Sequence, residues 1–165
     1  MRSHYAMSMK LSNLLSVNHI IPELQSQSRE GVIAEMVDYL VAIGDLPFEL
    51  VADIRQSLKH REEILSTGVG NGVAIPHAFS EHLQEVVAVF GRSRGGIDFA
   101  SQDGDLVHYV VLFISPRHIY QKHLLMLAAI ARMFSRVETH QYLEASTSAE
   151  EFFQLFDQRS IPKKA

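Results

Sequence analysis

Apolar residues recur every three or four positions in two stretches of the first half of the chain, which is the spacing of an amphipathic helix. The first stretch begins at Arg29, and its apolar positions are Val32, Ile33, Met36, Val37, Leu40, Val41 and Ile43. Gly44 follows directly, as a helix-ending glycine would. A second helix is expected to start at Pro47 and to end near His60; its inward positions are Phe48, Val51, Ile54 and Leu58.

Two later stretches also predict helices. Residues 120–134 are apolar almost all round, which favours a helix packed against a sheet rather than one on the surface. A last helix is expected over about residues 148–157. The segment between these two helices shows no helical spacing of apolar residues and is interpreted as a strand or loop.

Two runs rich in β-forming residues lie in the middle of the chain, at residues 86–90 and 107–114. The glycines between them, at positions 91, 95, 96 and 104, are interpreted as turns. The second run is apolar on both faces, which predicts a central strand that ends at Ser115 and Pro116. Residues 97–100 are a weaker candidate for an edge strand. The order of elements predicts an α/β fold, a single domain with a small mixed β-sheet flanked by helices.

The composition excludes several classes of protein. A chain of 165 residues is long enough for one domain with its own core, and the absence of cysteine excludes disulfides, zinc–thiolate sites and thiol nucleophiles. A formal net charge of −4 argues against a nucleic-acid partner, and no apolar stretch is long enough for membrane insertion. A cytoplasmic location is expected. Residues 1–8 are interpreted as a leader or vector remnant and residues 9–160 as the domain.

The most distinctive segment runs from Ser66 to Ala78 and reads STGVGNGVAIPHA. It lacks the lysine of a Walker loop and the third glycine of a dinucleotide fingerprint, so nucleotide binding is not supported. Gly68, Gly70 and Gly72 allow positive φ and leave amide donors free to face an anion. Pro76 stiffens the chain before His77, which suits a nucleophile with one ring nitrogen held in a fixed direction. The local residues alone nevertheless favour the alternative, in which His77 merely ends a strand.

Together with Arg61-Glu62-Glu63, this segment closely resembles the active-site signature of fructose/mannitol-type (type 2) enzyme IIA domains of the bacterial phosphotransferase system. The resemblance extends over roughly residues 11–157. It implies a phosphotransferase in which His77 accepts a phosphoryl group on Nε2 from a histidine phosphocarrier protein, HPr or an HPr-like protein of the nitrogen branch. The resemblance calls for no cofactor and no metal.

A second family feature is a histidine at the start of the helix after the central strand, matched here by QKHLLMLA at residues 121–128. The resemblance implies that His123 faces His77 and hydrogen-bonds the phosphoryl group, near a positive helix N-terminus. Taken alone, such a histidine is more often a cap or packing residue. His118 precedes His123 by five residues, so on one helix the two side chains would point about 140° apart. His118 is expected to be a solvated loop residue.

Three further positions are candidates for phosphate-site support. Arg61 precedes His77 by sixteen positions, as the supporting arginine does in the family, and a guanidinium can bind phosphate in a bidentate manner. Its alternative is an ordinary helix-terminal cation paired with Glu62 or Glu63. Thr67 is the preferred hydroxyl donor, unless it only satisfies local backbone groups. The loop glycines complete the expected set.

The opening LSNLL at residues 11–15 and the glycine-rich loop are most similar to the stand-alone nitrogen-regulatory enzyme IIA. This implies a regulator whose phosphorylation state controls targets such as potassium-transport or sensor-kinase proteins. The alternative is a sugar-transport component that passes phosphate to a fructose- or mannitol-type IIB partner. A binding module without phosphotransfer is a third hypothesis, which the presence of both His77 and His123 disfavours.

Overall fold

A mixed six-stranded sheet with helices on each face makes up residues 11–157, the part of the chain that the computed structural model describes. The interpretation of residues 1–8 as a leader falls outside these residues. The predicted α/β class with a small mixed sheet is confirmed. Within the described part, no helix is both long and apolar enough to span a membrane.

The helices and strands come in blocks along the chain: two helices follow the first short strand, five strands come next, and three helices follow them. The α-helices are α1 (Arg29–Ala42), α2 (Val51–Ile64), α3 (Tyr120–Phe134), α4 (Val137–Ala145) and α5 (Ala149–Asp157). The strands are β1 (Ile20–Ile21), β2 (Gly68–Gly70), β3 (Val73–Ala74), β4 (His77–Ser80), β5 (Val87–Ile97) and β6 (Val107–Pro116). Short 3-10 turns occupy Leu11–Asn13, Val17–His19, Phe48–Leu50 and Arg117–Ile119.

Strand β6 is the centre of the sheet, as its apolar character on both faces predicts. It pairs with β5 in antiparallel fashion on one side. On the other side β3 and then β4 lie parallel to it, so these two short strands form one interrupted line. Strand β1 pairs parallel with β5, and β2 forms a hairpin with β3.

Alternate residues of β6 build two separate cores. Val110, Leu112 and Ile114 pack with the apolar stripes of α1 and α2. Tyr109, Val111 and Phe113 face the opposite way and pack with residues from α3, α4 and α5. Because side chains alternate along a strand, the helices have to cover both faces of the sheet.

The helix predictions were accurate at the apolar stretches and failed at the polar ones. Helix α3 has the predicted bounds, and α5 starts one residue later than expected. Helix α2 continues to Ile64, four residues past its predicted end, through the polar run Arg61-Glu62-Glu63. Helix α4 was missed because its only buried side chains are Thr139 and Leu143, too few to produce a helical pattern.

The turns predicted at glycines 91, 95 and 96 are wrong, because these residues lie inside one long strand. The turn predicted at Gly104 is confirmed, since its amide donates to the carbonyl oxygen of Ser101. At Gly91 a Cβ atom would come within 2.8 Å of Leu24, so the glycine allows that side chain to pack on the strand. Gly96 has a φ of +87° and lies where the register of β5 shifts, which marks a bulge. The expected edge strand at 97–100 is also wrong, since Ile97 is the last residue of β5.

Strand β6 also runs further than predicted, because Ser115 and Pro116 continue it rather than break it. Pairing with β5 reaches only to Ile114, whereas Ser80 of β4 is the partner of Pro116. A proline lacks the amide hydrogen for a ladder bond, and it is tolerated at this last position of the strand. The extension matters because Ser115 lies at the functional site described below.

Gly68 provides a test of how closely β2 approaches the neighbouring loop. A Cβ atom at this position would lie 2.0 Å from Ser101 Oγ and 3.0 Å from Ser101 Cβ. Gly68→Ala should therefore lower the free energy of unfolding by about 1–3 kcal/mol, measured by chemical denaturation. Gly95→Ala is the matched control, because nothing lies within 4 Å of its Cβ position.

The control variant should stay within about 0.5 kcal/mol of the wild type. Adding Ser101→Gly to Gly68→Ala should recover part of the loss, since it removes both of the nearest side-chain atoms. Equal stability of the two alanine variants would contradict the close approach.

Candidate active site

His77 is the first residue of β4 and pairs with Phe113 at the centre of the sheet. Its half-buried ring has Nδ1 at 2.8 Å from the carbonyl oxygen of Ile75. A carbonyl oxygen can only accept a hydrogen bond, so Nδ1 carries the hydrogen and donates it. In the neutral ring this leaves the lone pair on Nε2, the nitrogen that a nucleophile of this kind has to present.

Arg61 lies in the last turn of α2 and points its guanidinium at that nitrogen. Its Nε donates to His77 Nε2 across 3.2 Å, and its Nη1 donates to the carbonyl oxygen of Leu65. Arg61 therefore contacts His77 and Leu65 and does not pair with Glu62 or Glu63, as the alternative interpretation expected. The positive charge of Arg61 therefore lies next to the position that a group bound to Nε2 of His77 would occupy.

His123 lies in the first turn of α3, beside His77. The two ring centroids are 5.2 Å apart, with the rings edge to face. His123 is buried against Phe79 and Phe113, at centroid distances of 4.1 and 4.8 Å. Its Nδ1 lies 2.8 Å from Ser115 Oγ, and this hydrogen bond holds the ring in one orientation. Helix α3 has no side-chain cap at its start, which leaves the positive end of its dipole uncompensated by a side chain.

Both histidines are held in the neutral form. Burial is the main cause that lowers the pKa of His77 below its usual value, and the charge of Arg61 lowers it further, against opposing effects of the Ile75 carbonyl and Glu62. Burial and the nearby His77 lower the pKa of His123 to about 4. Because only the unprotonated ring has a free lone pair, the lowered pKa of His77 keeps that lone pair available at neutral pH.

The contacts of Thr67 correct its expected role as a phosphate donor. Its hydroxyl donates to Glu62 Oε1 across 2.7 Å, and its backbone amide donates to Glu62 Oε2 across 2.8 Å. Thr67 is only 3% exposed. The hydroxyl hydrogen of Thr67 is therefore already donated to the buried Glu62 carboxylate and is not free for a phosphate oxygen. Ser66, the other hydroxyl of the loop, donates to the carbonyl oxygen of Phe99.

The loop glycines also have a structural role here. Gly70 and Gly72 have positive φ, as predicted, at the tip of the β2–β3 hairpin, but Gly68 does not. Val73 pairs with Tyr109 and His77 with Phe113, four residues along β6, which is about 13 Å. The hairpin tip therefore lies away from His77, and the expectation that the amides of Gly70 and Gly72 face its ligand does not fit the fold.

His118 is exposed in the 3-10 turn before α3, in agreement with its interpretation as a solvated residue. Sequence reasoning missed Ser115 and Phe79 as members of the site, and it did not foresee the contact of Glu62 with Thr67. Ser115 had a usable signal, since it is a polar residue at the end of an apolar central strand. In the described range 11–157, no three His, Asp or Glu side chains are grouped to hold a metal ion.

Comparison with known proteins identifies the family of the chain. The family model described as "phosphoenolpyruvate-dependent sugar phosphotransferase system, EIIA 2" matches residues 13–159. The chain belongs to this family. The resemblance inferred from the segment around His77 is thereby confirmed, and the EIIA proteins of this system are phosphotransfer proteins.

Relatives fall in both branches of the family. A nitrogen regulatory protein of Bradyrhizobium diazoefficiens is 30% identical over 145 residues, which cover 88% of this chain and 93% of that protein. A fructose-specific EIIABC component of Bacillus subtilis is 31% identical over 91% of this chain, which spans only 23% of that protein's length. The crystal structure of the nitrogen regulatory protein IIA-Ntr from Neisseria meningitidis superposes with a TM-score of 0.80 at 28% identity, covering 88% of this chain and 98% of that one.

The contact between Arg61 and His77 predicts the direction of a pKa change. Arg61→Gln should raise the pKa of His77 towards its ordinary value of about 6.5, because the positive charge next to Nε2 disfavours protonation there. An NMR titration of the His77 ring measures this. Arg55→Gln is the control, since Arg55 is on the same helix and pairs with Asp38 instead. A His77 pKa that stays constant or falls in Arg61→Gln would contradict the assignment.

Proposed function

We propose that His77 is the phosphorylated nucleophile of this EIIA protein. Its Nε2 attacks the phosphorus of a phosphohistidine on a histidine phosphocarrier protein, HPr or an HPr-like protein of the nitrogen branch. Arg61 Nε gives up its hydrogen bond to the Nε2 lone pair, and that lone pair forms the new bond to phosphorus. The bond from phosphorus to the carrier's nitrogen breaks, and that nitrogen keeps the electron pair. The observation that carries the proposal is the hydrogen bond from His77 Nδ1 to Ile75, which leaves Nε2 unprotonated beside Arg61.

The surroundings of Nε2 suit a phosphoryl group. Arg61 is positioned to donate to its oxygens, and a guanidinium is well matched to phosphate. His123 can donate from Nε2 when the Ser115 hydroxyl donates to its Nδ1. A phosphoryl group adds close to two negative charges, so a cation and a neutral donor held in place stabilise it more than flexible groups would.

Exposed apolar side chains around the site favour a protein as the phosphoryl donor. Leu65, whose carbonyl holds Arg61, is 56% exposed, and Leu124, next to His123, is 47% exposed. Tyr120 is 55% exposed and stacks on Phe79, which in turn packs on His123. A small molecule would leave this apolar rim in water, whereas a protein partner would cover it.

We assign the protein to the regulatory branch, in which phosphorylation of His77 controls binding to target proteins in the cytoplasm. Its support is the match with nitrogen regulatory proteins, since the chain covers 93% and 98% of the length of the two described above. Potassium-transport and sensor-kinase proteins are the proposed targets. The second candidate is transfer to a sugar-specific IIB partner, favoured by the 31% identity with the fructose-specific component.

Intact-mass measurement tests the nucleophile. Incubation with phosphoenolpyruvate, enzyme I and a phosphocarrier should add one phosphate to the wild type and none to His77→Ala, because the accepting nitrogen is lost. His118→Ala is the control and should gain the phosphate, since His118 is exposed in the turn outside the site. Absence of any mass gain with every phosphocarrier tried would overturn phosphotransfer by this chain.

The two branches separate in the next step. The phosphorylated protein is mixed with fructose- and mannitol-type IIB proteins, and its mass is followed with time. Retention of the phosphate supports the regulatory proposal. Rapid loss of the phosphate to one IIB protein, with phosphate appearing on that partner, would support transport instead.

Phosphoryl uptake should decline only in acid, with a midpoint below the ordinary imidazole pKa of about 6.5. Protonation of Nε2 removes the attacking lone pair, and burial holds the pKa of His77 below its usual value. Initial rates measured as a function of pH should share their midpoint with the NMR titration of the His77 ring, which separates it from titration of the carrier. A midpoint above 6.5 would exclude His77 as the titrating nucleophile.

A further inference from the structure

Glu62 is a buried carboxylate that the proposed reaction does not use. It follows Arg61 on the last turn of α2 and is only 7% exposed. Its two oxygens accept the hydroxyl and the backbone amide of Thr67, which is itself buried. Arg29 approaches Oε2 to 3.7 Å and donates to the carbonyl oxygen of Phe99. A carboxylate is kept in such a place only when its hydrogen bonds are well made.

Two hydrogen-bonded paths lead from this carboxylate to His77. In the first, Glu62 holds the turn after α2 at Thr67, and the carbonyl of Leu65 in that turn holds Nη1 of Arg61. Nε of the same guanidinium reaches His77 Nε2. The turn therefore determines where the cation stands relative to the reactive nitrogen.

The second path ends at the other ring nitrogen. The carbonyl oxygen of Thr67 accepts from the amide of Ile75 at 3.0 Å. The carbonyl of Ile75 in turn accepts from His77 Nδ1. Fixing Thr67 thus holds Ile75 by its amide, and the carbonyl of the same residue selects the tautomer of His77.

We propose that Glu62 is a positioning residue for phosphotransfer: by clamping Thr67 it places both the Arg61 guanidinium and the Ile75 carbonyl against the His77 ring. This inference rests on the proposed function of His77. Glu62 does not touch the reacting atoms, and its effect passes through hydrogen bonds. The predicted consequence is a change in the transfer step and not in docking of the carrier, because the Glu62 carboxylate is buried.

Glu62→Met tests the clamp, because it keeps the length of the side chain and removes both acceptors. It should lower the transfer rate at saturating phosphocarrier by about 10- to 100-fold, the scale expected when reacting groups are misplaced. The KM for the carrier should be unchanged. Glu62→Gln should retain most of the rate, since an amide can accept from the Thr67 amide and donate to its hydroxyl. Glu63→Met, at the adjacent exposed glutamate, is the control and should behave as the wild type.

Thr67→Val gives an independent variant in case Glu62→Met fails to fold. It removes the hydroxyl donor and keeps the backbone amide, so a smaller drop in the saturated rate is expected. If both side chains act through one contact, the double variant Glu62→Met/Thr67→Val should be no slower than Glu62→Met alone. Wild-type rates in both single variants, or an increase in KM with the saturated rate unchanged, would overturn the proposal.

A readout without phosphotransfer separates this inference from the proposed function. Ring nitrogen chemical shifts should show His77 protonated on Nδ1 in the wild type and in Glu63→Met, but a mixture of tautomers in Glu62→Met. A slow Glu62→Met variant with the wild-type tautomer would overturn placement of the Ile75 carbonyl by Glu62. If the wild type accepts no phosphate from any carrier, the proposed function fails, while the tautomer in Glu62→Met still decides whether Glu62 positions His77.

Discussion

The hydrogen bond from His77 Nδ1 to the carbonyl of Ile75 is the interaction on which the site depends. The pairing of the strands leaves this carbonyl free to accept it. Ala74 pairs with Val110 and His77 with Phe113, so β3 and β4 keep one register along β6. Between them the ladder is interrupted at Pro76, whose carbonyl accepts from the amide of Phe113. The carbonyl of Ile75 is left for the histidine ring, which therefore presents Nε2.

The electrostatics of the site follow from burial of this arrangement. Two imidazoles and a guanidinium lie together, and the rings stay neutral because burial and mutual repulsion disfavour further positive charge. A site with one fixed cation, neutral rings and an uncapped helix start is suited to a doubly negative group. The aromatic rings of Phe79 and Phe113 reduce access of water to His123 and strengthen these interactions.

The predictability of the fold differed between segments for a physical reason. Helices α1 and α3 and strand β6 bury regular apolar stripes, so the periodicity of the sequence was enough to locate them. The glycines of β5 were misinterpreted because their role depends on what packs against them: Leu24 on Gly91, and a bulge at Gly96. Helix α4 buries too little apolar surface to leave a pattern, so it could be located only in the structure.

The same division applies to the site. The segment from Ser66 to Ala78 and the pattern around His123 determined, by sequence alone, the family and the two histidines. Only the tertiary structure decided that Arg61 meets Nε2, that Thr67 serves Glu62 and that the tips of the glycine loop lie away from His77. Local sequence specifies which groups a chain carries and their backbone preferences. Which groups meet depends on the register between α2, β3 and β6, which is set by packing of the whole sheet.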